Sequence, residues 1–178
     1  MHDDNIKVRQ LKNQISDYKL LEKWYQEKEI YSQFEQRKLN YDEIKKKYYP
    51  RTKLSAIVPV FMIEYNNNPI GIIQYQKINK ENQKLYEIKD NNSYEIDIFI
   101  GELNLHNKGI GNKAINLITN YLFNEKKANI IIMCPIVNNV IAQKCYEKSG
   151  FNVNKTFKTE NTIGELETFL LMSKEKKN

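Results

Sequence analysis

The stretch from residue 93 to residue 122 constrains the fold of this chain most. In Ser93–Ile100, Tyr94, Ile96, Ile98 and Ile100 alternate with Glu95, Asp97 and Phe99, the period of a β-strand with two different faces. A loop and the pair Gly109-Ile110-Gly111 follow. Ile110, Ala114, Leu117, Ile118, Tyr121 and Leu122 then recur at helical spacing. A strand, a glycine turn and a helix leave the helix's first N–H groups without internal partners, at the positive end of its dipole. Glycines let a phosphate approach that backbone, and Lys108 and Lys113 add positive charge. A turn used only for its geometry has the same spacing. No G-K-[ST] follows, so this is not a Walker loop, and the third glycine of a dinucleotide fingerprint is missing.

The flanking sequence reads as one α/β domain over residues 1–178 on one mixed sheet. Residues 6–11 alternate as a strand. Ser16 is the expected cap of a helix carrying Leu20, Leu21, Trp24 and Tyr25. A second helix starts after Asn40, presents Tyr41, Ile44 and Tyr48, and ends at Pro50. Residues 58–65 and 70–77 flank Asn66-Asn67-Asn68-Pro69 as a hairpin. Residues 79–93 are polar and read as a loop. Residues 129–133 are a short apolar strand of the buried kind. Asn138 or Asn139 caps the next helix, which stops at Gly150. Residues 151–157 and 166–172 close the chain as two antiparallel strands.

Composition narrows the class. Net charge is 28 − 22 = +6, but the lysines are spread along the chain, and Lys45-Lys46-Lys47 reads as a solvated face rather than a nucleic-acid patch. No apolar run approaches the roughly 18 residues of a membrane span. The N-terminus lacks a secretory pattern, and two cysteines cannot build a disulfide framework, so a cytoplasmic location is expected. The two His and two Cys residues lack metal-ligand spacing, so no metal is expected.

Two further segments carry chemistry. Asp97 stands between Ile96 and Ile98, where a buried carboxylate is costly unless paired. It reads as a general base, a site for a cationic amine, or an exposed strand position. In Cys134-Pro135-Ile136-Val137-Asn138-Asn139-Val140-Ile141-Ala142-Gln143-Lys144-Cys145-Tyr146-Glu147-Lys148-Ser149-Gly150-Phe151, a strand ends and an Asn-capped helix follows. Tyr146 reads as a proton donor or a core aromatic.

Taken together, these segments resemble the GCN5-related N-acetyltransferases (GNAT superfamily). The superfamily's coenzyme signature, Gln/Arg-x-x-Gly-x-Gly/Ala, reads here His106-Asn107-Lys108-Gly109-Ile110-Gly111. A second signature is met at Asn139, Ala142, Tyr146, Lys148, Gly150 and Phe151. A closer resemblance, to the aminoglycoside 6′-N-acetyltransferases, runs through Ile63-Glu64-Tyr65-Asn66-Asn67, Pro69-Ile70-Gly71, Asp97-Ile98-Phe99-Ile100-Gly101-Glu102, Lys108 to Gly111 and Tyr146 to Phe151.

The resemblance implies a mixed, mostly antiparallel sheet flanked by helices, and acetyl-CoA as cofactor. It also implies transfer of the acetyl group to a primary amine of a small molecule, the 6′-amine of an aminoglycoside, as in antibiotic resistance. The chain would act as a monomer or homodimer, with no nucleic acid or membrane partner. Another amine (a siderophore precursor, a polyamine or a small metabolite) is the alternative acceptor. A coenzyme A-binding or nucleic-acid-binding module without turnover is the reading outside enzymes. By resemblance Asp97 receives or orients the amine and Tyr146 protonates the leaving thiolate. Ile98, Phe99 and Ile100, with Asn139 and Ala142, line the pantetheine arm, and Asn107, Lys108, Gly109, Ile110, Gly111, Asn112 and Lys113 hold the pyrophosphate. Trp24, Tyr48, Gln74, Glu87, Cys134, Glu165 and Glu167 are the candidate acceptor contacts. Two departures fall on that side. Cys134-Pro135 stands where the family has Asp-Pro, and the Gly-Gly after the first helix is missing from Tyr31-Ser32-Gln33-Phe34.

Overall fold

The computed structural model describes residues 1–3 and 5–176. Eight strands form one sheet in the order β1-β2-β3-β4-β5-β6-β8-β7, where β1 is His2–Asp3, β2 Ile6–Gln10, β3 Val60–Tyr65, β4 Asn68–Lys77, β5 Ser93–Ile100, β6 Ile130–Met133, β7 Asn152–Glu160 and β8 Leu166–Glu175. All neighbours are antiparallel except β5 and β6. The helices are α1 (Ile15–Trp24), α2 (Lys28–Phe34), α3 (Tyr41–Tyr48), α4 (Lys80–Tyr86), α5 (Ile110–Asn124) and α6 (Val140–Lys148). The expected mixed, mostly antiparallel sheet with flanking helices is therefore what forms. No helix among the described residues is long and apolar enough to cross a membrane.

The two faces of the sheet carry separate cores. On one, Ile110, Ala114, Ile115, Ile118 and Leu122 of α5 pack with Ile73, Tyr75, Ile96 and Tyr146. Each large aliphatic buried there contributes roughly 1.5–3 kcal/mol. On the other, Trp24, Tyr25, Ile44 and Tyr48 of α1–α3 pack on Met62, Ile72 and Phe99. Arg9 of β2 ties this second layer to the sheet. It grips buried Asp17 of α1 through two hydrogen bonds of 2.8 and 2.9 Å and Glu64 of β3 at 2.6 Å. Burial pushes the Asp17 carboxyl up, but its bonds from Arg9, Lys12 and Gln14 outweigh that and hold it below the usual carboxylate range.

Local chemistry corrects several boundaries. Ser16 lies inside α1, whose cap position is Gln14. Asp17 in the first turn takes the Lys12 N–H in place of a side-chain cap. Asn40 caps α3 with a reciprocal Glu43 bond, as its sequence position implies. The polar stretch read as a loop contains α4, capped by Asn79; its apolar anchor is Tyr86, too little for a helical stripe to stand out. The short α2, whose one buried residue is Ile30, and the two-residue β1 carry no sequence signal either. The hairpin turn is Asn66-Asn67, both left-handed, and Asn68 and Pro69 already belong to β4.

Two strands part at the centre of the sheet. β5 pairs β6 only at Ser93, Tyr94 and Glu95, opposite Ile130, Ile131 and Ile132. β5 stays with β4 to its end, where the Gly101 N–H donates to the Ile70 carbonyl at 2.7 Å. The chain leaving β6 stays with β8: Leu170 N–H donates to the Pro135 carbonyl at 2.9 Å and Val137 N–H to the Thr168 carbonyl at 3.0 Å. Each strand keeps its antiparallel partner, so a gap opens between them beyond Glu95.

Gly101 anchors the far end of β5, because a Cβ there would run into the Trp24 indole. Gly101→Ala is expected to destabilise the protein by about 1–3 kcal/mol in urea unfolding, the usual cost of overpacking.

Candidate functional site

The gap exposes a strand edge. The Ile78 N–H donates to the Ser93 carbonyl, and Gly101 pairs with Ile70. Bonded pairs alternate in an antiparallel ladder. Glu95, Asp97 and Phe99 therefore aim their amide groups at β4, while Ile98 and Ile100 aim theirs into the gap. The Ile100 carbonyl is taken by the His106 ring nitrogen at 2.7 Å. His106, at the first position of the glycine signature, thus secures the end of β5.

The start of α5 faces the same opening. Its cap residue Gly109 has φ +75 and supplies no side-chain bond, whereas Asn40, Asn79 and Asn139 cap α3, α4 and α6. The first N–H groups of α5 are left for an anion. Asn107 is also left-handed, and Asn107, Lys108 and Gly109 are exposed. An added Cβ at Gly111 would lie 3.4 Å from the Cys145 sulfur, so the backbone comes close to α6 there. The Asn112 side chain donates to Ser149 Oγ at 2.7 Å and so binds α5 to α6 rather than facing the opening; only its main chain remains for a ligand. The Asn139 side chain accepts the Ala142 N–H at 3.1 Å, which makes it the cap of α6.

Asp97 lies beside the gap on the α1–α3 face. Gln74 Nε2 donates to Asp97 Oδ2 at 2.9 Å, and Gln74 Oε1 accepts from Arg51 at 3.0 Å. Burial pushes the Asp97 carboxyl above the usual range, while Gln74, Lys47 and Arg51 pull it back down. Lys47, read from sequence as part of a solvated lysine run, is instead half-buried, ion-paired with Glu35 and near enough to act on Asp97. Helical periodicity is the signal that could have separated it from its neighbours, since it follows Ile44 by three positions. Tyr146 is buried against Phe151, and its phenol is held protonated by burial first and then by the charges of Cys145, Asp97 and Cys134. Asp97 and Tyr146 thus approach the gap from opposite faces of the sheet.

The expected acceptor contacts divide. Gln74 and Cys134 belong to the neighbourhood of Asp97 and Glu95. Trp24 does not reach a surface. It is fully buried, and its indole N–H donates to Glu102 at 2.9 Å, because the space above Gly101 is filled by its ring. Tyr48 is buried as well, its hydroxyl bonded to that of Tyr25 at 2.7 Å. The Phe99 side chain is core, packed on Trp24, Tyr25 and Phe34, so only its main chain could meet a ligand. Glu87 pairs with Lys155 at 2.6 Å, and Glu165 sits exposed where β7 turns into β8. Glu167, half-buried on β8, accepts from the Thr168 N–H at 3.3 Å. No hydrogen bond or ion pair among the described residues joins these last three glutamates to Asp97.

A family model described as an acetyltransferase (GNAT) domain matches residues 14–159. The chain belongs to the GNAT acetyltransferase domain family. This GNAT domain is 27% identical over 118 residues to an aminoglycoside N(6′)-acetyltransferase type 1 of Klebsiella pneumoniae, a match spanning 66% of this chain and 59% of that relative. Its fold resembles a solved aminoglycoside acetyltransferase AAC(6′)-Ib in complex with coenzyme A and kanamycin, with a TM-score of 0.77 and 20% identity over 96% of this chain and 94% of that one. It equally resembles a spermidine N-acetyltransferase from Vibrio cholerae in complex with CoA and spermine, with a TM-score of 0.77 and 22% identity over 97% and 96%.

Because the Gln74 amide stabilises ionised Asp97, Gln74→Leu is expected to move the Asp97 titration to higher pH. Carboxyl ¹³C NMR across a pH series checks this.

Proposed function

We propose that this GNAT domain transfers the acetyl group of acetyl-CoA to a primary amine, with the 6′-amine of an aminoglycoside as its acceptor. One observation carries the reading. The gap between β5 and β6 gathers the Asp97 carboxyl, the Tyr146 phenol, the inward amides of Ile98 and Ile100 and the uncapped start of α5 around one opening. The residues fit the cofactor. The α5 N-terminus with Lys108 and Lys113 suits a pyrophosphate, and the Ile98 and Ile100 strand edge suits the amides of a pantetheine arm.

Bound acetyl-CoA would supply an activated thioester. The chain's own groups do the rest. The Asp97 carboxylate receives the ammonium of the acceptor and takes its proton, directly or through water. An ordinary aspartate, with a pKa of about 3.9, is a weak base, and burial strengthens this one. A strand amide facing the gap donates to the carbonyl oxygen as charge develops there. The Tyr146 hydroxyl, protonated at neutral pH, gives its proton to the departing sulfur. Holding both reactants in one gap supplies much of the rate.

The aminoglycoside relatives support the acceptor. A polyamine is the second reading, favoured by the equal fold similarity to the spermidine enzyme and by Cys134 in place of an acid. A thiol-release assay with acetyl-CoA and kanamycin-type aminoglycosides, spermidine and putrescine separates them. Turnover confined to polyamines would overturn the first reading, and no thiol release with any amine would overturn both.

Asp97→Asn is expected to lower kcat at least about 100-fold with coenzyme A affinity little changed, and Tyr146→Phe to cost less. At the cofactor, Gly109→Ala forces an alanine to φ +75 at about 1–2 kcal/mol, and is expected to weaken coenzyme A binding in calorimetry while the protein stays folded.

A further inference from the structure

Asp97 has a neighbour that the mechanism above leaves idle. Glu95 shares the same face of β5, two residues earlier, and is 7% exposed. At roughly 3.3 Å per residue the two side chains leave the strand about 7 Å apart. Their surroundings differ in kind. Among the described residues, every hydrogen-bonding partner of Glu95 is neutral. Gln76 of β4 donates to Oε2 at 2.9 Å, Tyr86 of α4 donates to Oε1 at 3.2 Å, and the Cys134 thiol beyond β6 lies alongside. Around Asp97 stand Lys47 and Tyr48 of α3, Arg51 just after it, Glu35 after α2, and Tyr146 of α6. The cations Lys47 and Arg51 therefore serve Asp97, and among the described residues of α4, β4 and β6 no cation pairs with Glu95.

Two carboxyl groups this close on an enclosed face do not ionise independently. Asp97, with Lys47 and Arg51, takes the first negative charge, and Glu95 takes the second. Resting on the amine acetylation proposed above, we infer that Glu95 is a positioning residue acting through Asp97: its charge raises the proton affinity of Asp97 and so governs how readily Asp97 takes a proton from the acceptor amine. Burial, then the Asp97 charge, push the Glu95 carboxyl up to about 7 against the hydrogen bonds from Gln76 and Tyr86. Above that pH both groups are anionic and Asp97 is the stronger base. Below it Glu95 holds a proton and Asp97 is weaker. Acetylation efficiency rises as pH increases through that value.

The test reads Asp97 without any substrate. In protein carrying ¹³C-labelled aspartate carboxyls, the Asp97 resonance is expected to show an inflection near pH 7. Glu95→Gln should abolish it and leave the main Asp97 midpoint, which is reached while Glu95 is still protonated, little changed. With acetyl-CoA and kanamycin, the kcat/KM profile of Glu95→Gln should lose its inflection near 7. Its alkaline plateau should fall by up to about tenfold, the rate equivalent of one pKa unit. Glu95→Asp, which keeps the charge, should retain both inflections, and it carries the test if circular dichroism shows Glu95→Gln unfolded. Asp97 titrating identically in the native protein and in folded Glu95→Gln would overturn the inference, as would a Glu95→Asp variant without the inflection. If Asp97 behaves as expected but no amine is acetylated, the coupling of the two carboxyls stands and the acetyl-transfer reading falls.

Discussion

The early end of the β5–β6 pairing shapes the rest of the structure. Parallel contact lasts three residues on each strand, and each then follows its antiparallel partner, β5 with β4 and β6 with β8. The result is a break through the middle of a sheet that is otherwise continuous and covered on both faces. It leaves strand amides unpaired without exposing an outer edge to aggregation, because α5 and α6 cover one side of the gap and α1–α3 the other. A ligand can thus meet main-chain groups in the interior of the protein.

The electrostatics of the gap follow from the same arrangement. One face presents an uncapped helix start and surface lysines, suited to an anion. The other presents carboxyl groups held back from full charge by burial. Asp97 is balanced between desolvation and the cations Lys47 and Arg51, with Gln74 linking Arg51 to it in a relay. That opposition, positive on one side and negative on the other, supports the proposed acetyl transfer from a pyrophosphate-bearing cofactor to an amine. Membership of the GNAT domain family agrees with it.

Much of the site was legible because its residues lie on elements with strong local patterns. Alternation put Asp97 opposite Ile96 and Ile98 on β5, and it stands there. The glycine pair marked the start of α5, and Asn138 or Asn139 that of α6, where Asn139 is the cap. Other residues were opaque. Trp24 and Tyr48 looked like ligand contacts, but both are buried: a large aromatic matches a binding wall and a core equally well in sequence, and only packing separates them. Lys47 looked solvated because its neighbours are lysines, yet α3 turns it toward Asp97. Helix α4 was invisible because a helix with a single buried aromatic has no hydrophobic period to detect.

The sequence by itself determined the order of the strongly patterned strands and helices, though not β1, α2 or α4, together with the two faces of β5 and the glycine turn before α5. These depend on side-chain periodicity and on backbone conformations that particular residues permit, both local properties. Tertiary structure alone decided where β5 and β6 separate, which cations reach Asp97, and that Glu95 lies among neutral partners. Those are set by contacts between segments far apart in the chain: Gln76, Tyr86 and Cys134 meet Glu95 only after β4, α4 and β6 have assembled around it. A carboxyl's charge answers to whatever surrounds it, and the surroundings of a strand exist only in the folded sheet.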